Sequence, residues 1–367
     1  MASETESNIR VDGERMETWL VGLWSACGLP AGDASILANG LVAPSLRGVD
    51  SHGLVRIPQY VENFRSGRVN PHPDMRFDME SGSVAHLAAD NGSGHVACAR
   101  AMEKAVELAR RYGVGVVSVR DSSHFGAAAT WAMLASEQGC IGIVATNGPA
   151  VMPPTGGREP RLSNNPIAVA APAGKHPPLV LDMAMSIAAG GKLRLAIMSG
   201  QSIPEGWALN KAGEPTTDPR EATNGLLLPI GGHKGYGLAL MVEVLAGVLS
   251  GSAFGTMVRS QGVAAIGQRL DTRTGKIGVG HFVLALDVTH FMPLPEFVGR
   301  VDELIDQMHD TPLAAGATRV LVPGELEDAK AAERTAGGIP IPAPVFKAIE
   351  KAAASVNIEP PLGAILT

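Results

Sequence analysis

Aromatic side chains are scarce, at 4% of the chain, and charged residues make up only 18%. So few aromatics leave no stacking platform for single-stranded nucleic acid. The lysines and arginines are scattered, no basic run stands out, and the formal net charge is −6. Neither nucleic acid nor an anionic membrane would be drawn to such a chain. The three cysteines, Cys27, Cys98 and Cys140, stand far apart and form no CxxC pair. They read as reduced thiols of a cytoplasmic protein, not as a disulfide framework. The opening residues, MASETESNIR, are polar and lack the apolar core of a signal peptide. The most membrane-like stretch, residues 235–254, is broken by Glu243 and four glycines, and reads as a helix buried in a soluble core. No two of the ten histidines stand at HxH or HExxH spacing, so no metal site is expected.

The chain has 367 residues, 45% of them hydrophobic, enough for a large core and more than one domain. From Glu14 to about Arg68 the apolar spacing is helical: Met16, Leu20, Leu23 and Trp24, then residues 34–46, then 51–64. Prolines 71 and 73 mark a break. Strands are predicted at 83–88, 114–121, 141–146, 167–171 and 179–181, with helices at 96–112 and 127–138 between them. This alternation predicts an α/β sheet domain. Residues 200–230 are rich in turn formers, residues 281–288 read as a late strand, and helices follow at 301–309 and 343–354.

One dinucleotide fingerprint is visible. Gly92-Ser93-Gly94-His95-Val96-Ala97 fits G-x-G-x-x-G/A, with a strand before it, a helix after it and an acid, Asp121, at the end of the next strand. The spacing to that acid is long, and a glycine-rich helix start reads equally well.

Three further clusters could carry chemistry. RGVDSHGLVRIPQY, residues 47–60, gathers Arg47, Asp50, Ser51, His52, Arg56 and Tyr60. His52 and Arg56 would share a helix face. An imidazole can take or give a hydroxyl proton, and a guanidinium can hold a carboxylate by two parallel hydrogen bonds. Asp50-Ser51-His52 is no hydrolase triad, because adjacent side chains diverge and no G-x-S-x-G elbow is present. DSSHFG, residues 121–126, puts His124 just after a strand, where open sheets bind ligands. LPIGGHKGYG, residues 228–237, offers backbone amides and Lys234 to a pyrophosphate, without the Ser or Thr of a Walker motif.

The order RGVDSHGxxR, SHFG, TNGPxxxPPxGG, NNPIAxAxP, LDMA, PEGWALNxxGEPTTDP, LLPIGGHKGYGLAL resembles the type-2 malate/L-lactate dehydrogenase family over roughly residues 15–355. That family includes sulfolactate and ureidoglycolate dehydrogenases and a piperideine-carboxylate reductase. The resemblance implies an α/β chain with a non-Rossmann, mixed-sheet nicotinamide domain and helical terminal segments. The division would be 1–75 (substrate residues), 76–300 (cofactor domain, with a helical insertion at 191–255) and 301–367 (helices packing back on the first segment). It implies a homodimer using NAD or NADP on a small carboxylate. By motif match His52 is the acid/base, Ser51 orients it, and Arg56, Tyr60 and Asn164 meet the substrate; in ureidoglycolate dehydrogenases the acid/base role falls to the match of His124. Cofactor contacts match to Phe125, Gly126, Asn147, Gly148, Asp182, Met183, Ala184, His233, Lys234, Gly324 and Glu325. The family usually has threonine where Asn164 stands and often serine at Gly148. The activity implied is hydride transfer between NAD(P) and a 2-hydroxy or 2-oxo acid. The alternatives are reduction of a cyclic imino acid and, in another class, a non-catalytic binding protein on the same scaffold.

Overall fold

The computed structural model describes residues 8–188, 192–193, 196–197, 200–259 and 276–366. The opening heptapeptide and part of the expected 191–255 insertion lie outside the described residues. Residues 13–65 are mostly helical, as their spacing predicts: α1 (Gly13–Ala26), α2 (Ala31–Leu46) and α3 (Ile57–Arg65). The Asp12 side chain caps α1 by accepting from the Arg15 N–H at 2.9 Å. Strand β1 (Asn8–Val11) pairs antiparallel with β12 (Ile339–Pro342), near the other end of the chain. One core results. Met16, Leu20, Trp24 and Ile57 pack with Ile341, Phe346 and Ile349, so the last helix, Ala343–Ala354, seals the first three.

The central sheet has seven strands in the order β2 (Arg76–Ser81), β3 (Val84–Ala88), β4 (Val114–Ser122), β11 (Val279–Asp287), β5 (Cys140–Thr146), β6 (Ile167–Ala171), β7 (Leu179–Met183). Only β3 and β4 run parallel; every other neighbouring pair is antiparallel. The late strand, β11, is the middle of the sheet, which a reading by chain order could not anticipate. Helices α4 (Gly94–Tyr112) and α5 (Ala128–Ser136) cover one face. They bury alanines, Ala97, Ala101, Ala105 and Ala132 among them, against Val117, Val144 and Val283. Such small residues let helix axes lie close to the sheet. Gly113, at φ +84, ends α4 in the left-handed conformation, as the sequence signalled.

The 191–255 insertion has helical segments, at 219–223 and 233–248 among others, and a sheet besides. It holds a small antiparallel sheet, β8 (Ala208–Leu209), β9 (Pro215–Thr216) and β10 (Leu226–Leu227), with the short helix α6 (Pro219–Thr223). The Asn210 side chain accepts from the N–H groups of Ala212 and Glu214, which folds the chain back between β8 and β9. The apolar stretch 235–254 is also not one regular helix. Helix α7 (His233–Glu243) passes into a π turn, Val244–Val248. Three donors meet Glu243, which is almost wholly buried: the Asn147 and Asn165 amides at 3.0 and 2.6 Å and the Gly255 N–H at 2.8 Å. Helix α8 (Leu294–His309) starts seven residues before the predicted 301, and α9 (Glu325–Gly337) and α10 (Ala343–Ala354) follow. Among the described residues no helix is long and apolar enough to cross a membrane.

Candidate active site

Residues 50–56 form two short 3-10 turns, Asp50–His52 and Leu54–Arg56, and α3 begins only at Ile57. The expectation that His52 and Arg56 share one helix face is therefore corrected. Gly53 breaks the run because it lies against α2: a β-carbon there would stand 1.9 Å from the Ser45 hydroxyl. That hydroxyl accepts from the Leu54 N–H and donates to the Leu41 carbonyl, each at 2.9 Å. Arg56 turns back instead of along a helix. Its Nε donates to the Ser51 carbonyl at 2.6 Å and one terminal nitrogen to Gln59 at 2.9 Å. The Ser51 hydroxyl stands 2.9 Å from His52 Nδ1.

The second cluster meets the first directly. His124, just past the end of β4, lies in a plane 14° from that of His52, with ring centroids 5.5 Å apart. The Tyr60 hydroxyl reaches His124 Nδ1 at 2.6 Å, and the Gly126 N–H donates to the same nitrogen at 3.2 Å. Burial, with the Arg56 charge second, lowers the His52 pKa to about 3 and pushes that of His124 well below its usual value. Burial thus favours the uncharged form of both rings.

The proposed cofactor residues converge on the end of β7. The Asp182 carboxylate accepts from the Ala129 N–H at the start of α5, 3.0 Å away, which ties it to the 124–126 loop. Beyond Ala184 the chain pairs with the segment that leads into α7: Ile230 N–H donates to Met185 and Ile187 N–H to Leu228, each at 2.8 Å. His233 and Lys234, both exposed, open α7 just after that pairing. Val180 N–H donates to Pro323, which brings in Gly324 and Glu325. Met185 N–H donates to the Asn164 carbonyl at 2.7 Å. A dinucleotide fits this donor set: Lys234 and the N–H groups opening α7 suit a pyrophosphate, and the exposed Asp182 carboxylate suits ribose hydroxyls.

Other expected contacts are spent internally. Phe125 is buried with its ring stacked on His281 at 4.9 Å, and its carbonyl accepts from Trp131. Asn147 gives its side chain to Glu243, Ala253 and Gly280. Gly148 is buried against Ser163, and Glu325 accepts from Val322 and pairs with His309 at 2.7 Å. Phe125 and Asn147 therefore have only backbone to offer a ligand. Among the described residues no group of three metal-ligating side chains occurs.

The fingerprint at Gly92 and Gly94 opens β3–α4–β4, the one parallel βαβ unit among the described residues, yet its glycines serve the protein itself. The Gly94 N–H donates to the Ser123 hydroxyl, which donates in turn to the Gly92 carbonyl. Asp121, the apparent ribose acid, pairs with Lys276 at 2.7 Å.

Sequence reading missed Arg334. From α9 it grips Asp50 through both carboxylate oxygens, at 2.5 and 3.0 Å, and holds the Ser45 carbonyl at 2.5 Å. Arg47, two positions before Val49, pairs with Asp328 of the same helix. The loop before His52 is thus clamped by a helix 284 residues away. His95, buried between Tyr60 and Trp131, was also read only as part of the fingerprint.

Known proteins resemble this chain over nearly its whole length. The chain is 38% identical to a malate dehydrogenase of Pyrococcus abyssi over 362 residues, 96% of this chain and 97% of the relative. It matches the sulfolactate dehydrogenase structure of Methanocaldococcus jannaschii with a TM-score of 0.87 at 36% identity, covering 96% of this chain and 98% of that one. It matches the delta1-piperideine-2-carboxylate reductase of Pseudomonas syringae with a TM-score of 0.82 at 28% identity, covering 94% and 99%. The fold and the near full-length likeness to these proteins define an oxidoreductase dependent on NAD or NADP. More narrowly, the model of the malate/L-lactate dehydrogenase family matches residues 11–350, and the chain belongs to that family.

Proposed function

We propose that this protein moves a hydride between NAD or NADP and a small 2-hydroxy or 2-oxo acid of the malate, lactate or sulfolactate kind. The observation that carries the reading is the Tyr60–His124 hydrogen bond, which joins the 51–60 cluster to the loop leading to Asp182. Bound nicotinamide supplies the hydride acceptor or donor. Arg56 holds the substrate carboxylate, and Tyr60 and Asn164 border the same molecule. His52, oriented by Ser51, takes the hydroxyl proton in oxidation and returns it in reduction. Burial is the larger cause of the low His52 proton affinity and the Arg56 charge the lesser; a carboxylate on Arg56 would offset the second and so raise the basicity of His52. Asp182, Met183, Ala184, His233 and Lys234, with the backbone at 125–126, 147–148 and 324–325, hold the cofactor.

The second reading, reduction of a cyclic imino acid, is favoured by the likeness to the piperideine-carboxylate reductase and would use the same groups on a C=N bond. A panel of lactate, malate, sulfolactate and piperideine-2-carboxylate, each with both nicotinamides and followed by nicotinamide absorbance, separates the two. Turnover of a hydroxy acid is the expected result; turnover of the imine alone establishes the second reading.

The protein acts as a homodimer in the cytoplasm. In support, Leu238, Met241, Val248 and Leu249 leave about half or more of their surface exposed along α7 and its π turn, an apolar face that a second copy would cover. The cysteines are free, and Cys98 and Cys140 are buried. The segments 1–75, 76–300 and 301–367 are offered as the working division, supported by the shared core of the first and last. Sedimentation of the purified protein reads the dimer directly.

A further inference from the structure

We infer that Gly126 and Tyr60 fix His124 with its proton on Nε2, so that His124 steadies the reacting oxygen as a hydrogen-bond donor and His52 alone exchanges the proton. This rests on the hydride-transfer reading above. A backbone N–H can only donate, and that of Gly126 points to His124 Nδ1 at 3.2 Å. Nδ1 therefore presents a lone pair. The Tyr60 hydroxyl, 2.6 Å from the same atom, must then donate as well. Neutral His124 carries its one proton on Nε2.

Adding a proton at Nδ1 would set it against the Gly126 N–H and force the Tyr60 hydroxyl to turn round and accept. The ring also faces Arg56, His52, His95 and His281, and burial with the nearby Arg56 charge already disfavours an imidazolium there. A relay, in which Nε2 gives its proton away while Nδ1 takes one from Tyr60, is disfavoured too. It would leave a phenolate on a side chain only 5% exposed, and burial raises the proton affinity of that phenol well above the usual range. His52 has no such restriction. Its Nδ1 partner is a serine hydroxyl, which donates to a bare nitrogen and accepts from a protonated one. His52 can gain and lose a proton at Nε2 without breaking that hydrogen bond.

In oxidation the substrate O–H bond breaks and its proton goes to His52 Nε2. The C2–H bond breaks with its electron pair leaving for the nicotinamide, and the C–O bond becomes a carbonyl. The Nε2–H of His124 holds the oxygen throughout. Tyr60 acts through His124 and is a positioning residue.

The test is a two-bond proton–nitrogen correlation spectrum of the full-length protein labelled with 15N-histidine, with the His124 signals assigned by their loss in His124→Gln. The expected spectrum shows His124 neutral with its proton on Nε2 at every pH at which the protein is folded. A proton on Nδ1, or a charged ring near neutral pH, overturns the inference. This reading needs no substrate, so it stands or falls separately from the substrate panel. Turnover gives the second arm. The glutamine amide can still donate from the Nε2 position, so His124→Gln should lose about tenfold, whereas His52→Gln should lose about 10²–10⁴-fold. The reverse order overturns the assignment.

Discussion

Gly94 lies so close to Ser123 that a β-carbon on it would stand 2.1 Å from the Ser123 carbonyl oxygen and 2.6 Å from that of His124. The glycine is required by the protein's own backbone. It lets the first turn of α4 press on the loop that presents His124. Gly94→Ala should push that loop outward, at a cost of about 1–3 kcal/mol of stability and with a fall in turnover. Urea denaturation and steady-state kinetics read both. A phosphate-binding glycine would behave otherwise, with cofactor affinity lost and stability kept.

Arg334 holds the loop that ends in His52. Arg334→Leu removes the two-pronged contact with Asp50 and the bond to the Ser45 carbonyl. Asp50 is exposed and can be rehydrated, so the expected cost is about 1–3 kcal/mol, below that of a fully buried pair. Because the loop carries Ser51 and His52, kcat should fall while cofactor affinity, measured by fluorescence quenching, stays near that of the parent.

Arg56→Lys keeps the charge and loses the planar fork that suits a carboxylate. The expected result is a rise in KM for the acid of about 10- to 100-fold, with a smaller change in kcat, corresponding to roughly 1.5–3 kcal/mol for a hydrogen bond to a charged group. An unchanged KM would remove Arg56 from the substrate site.

Stability should fall on the acid side of neutrality before the carboxylates titrate. His95 and His281 are buried, and burial lowers the pKa of each from 6.5 to about 3. Below 6.5 the unfolded chain binds protons at these positions and the folded chain does not, so stability is complete above 6.5 and declines as pH falls toward about 3. Each contributes a slope of about 1.4 kcal/mol per pH unit within that window. Asp287, held low against its burial by hydrogen bonds from Thr289 and then by Arg110, keeps its full contribution above 3.8 and starts to lose it only as pH falls below that value. Urea titrations at several pH values, compared with His95→Gln, check the slope; the variant should be flatter.

Local features were legible in the sequence where one stretch of chain decides them. The last helix, Ala343–Ala354, has the predicted bounds, and Gly113 ends α4 where expected. The motif succession identified the family, since each motif keeps its local backbone. What the sequence hid depends on distance along the chain. The strand at 279–287 enters the sheet between β4 and β5, and Arg334 meets Asp50 across 284 residues. The break at Gly53 was hidden for the same reason, because what forces it is Ser45 of the neighbouring helix. The small sheet at 208–227 escaped notice because its strands are two residues long, too short for an alternating pattern.

The most direct test of the central reading follows the hydride itself. The protein is incubated with a 2-oxo acid, oxaloacetate or sulfopyruvate, and with nicotinamide deuterated at the transferable position of C4, and the product is examined by NMR. The account predicts deuterium bound to C2 of the resulting 2-hydroxy acid. Product without deuterium at C2, or no product from any 2-oxo acid while the cofactor binds, would contradict it.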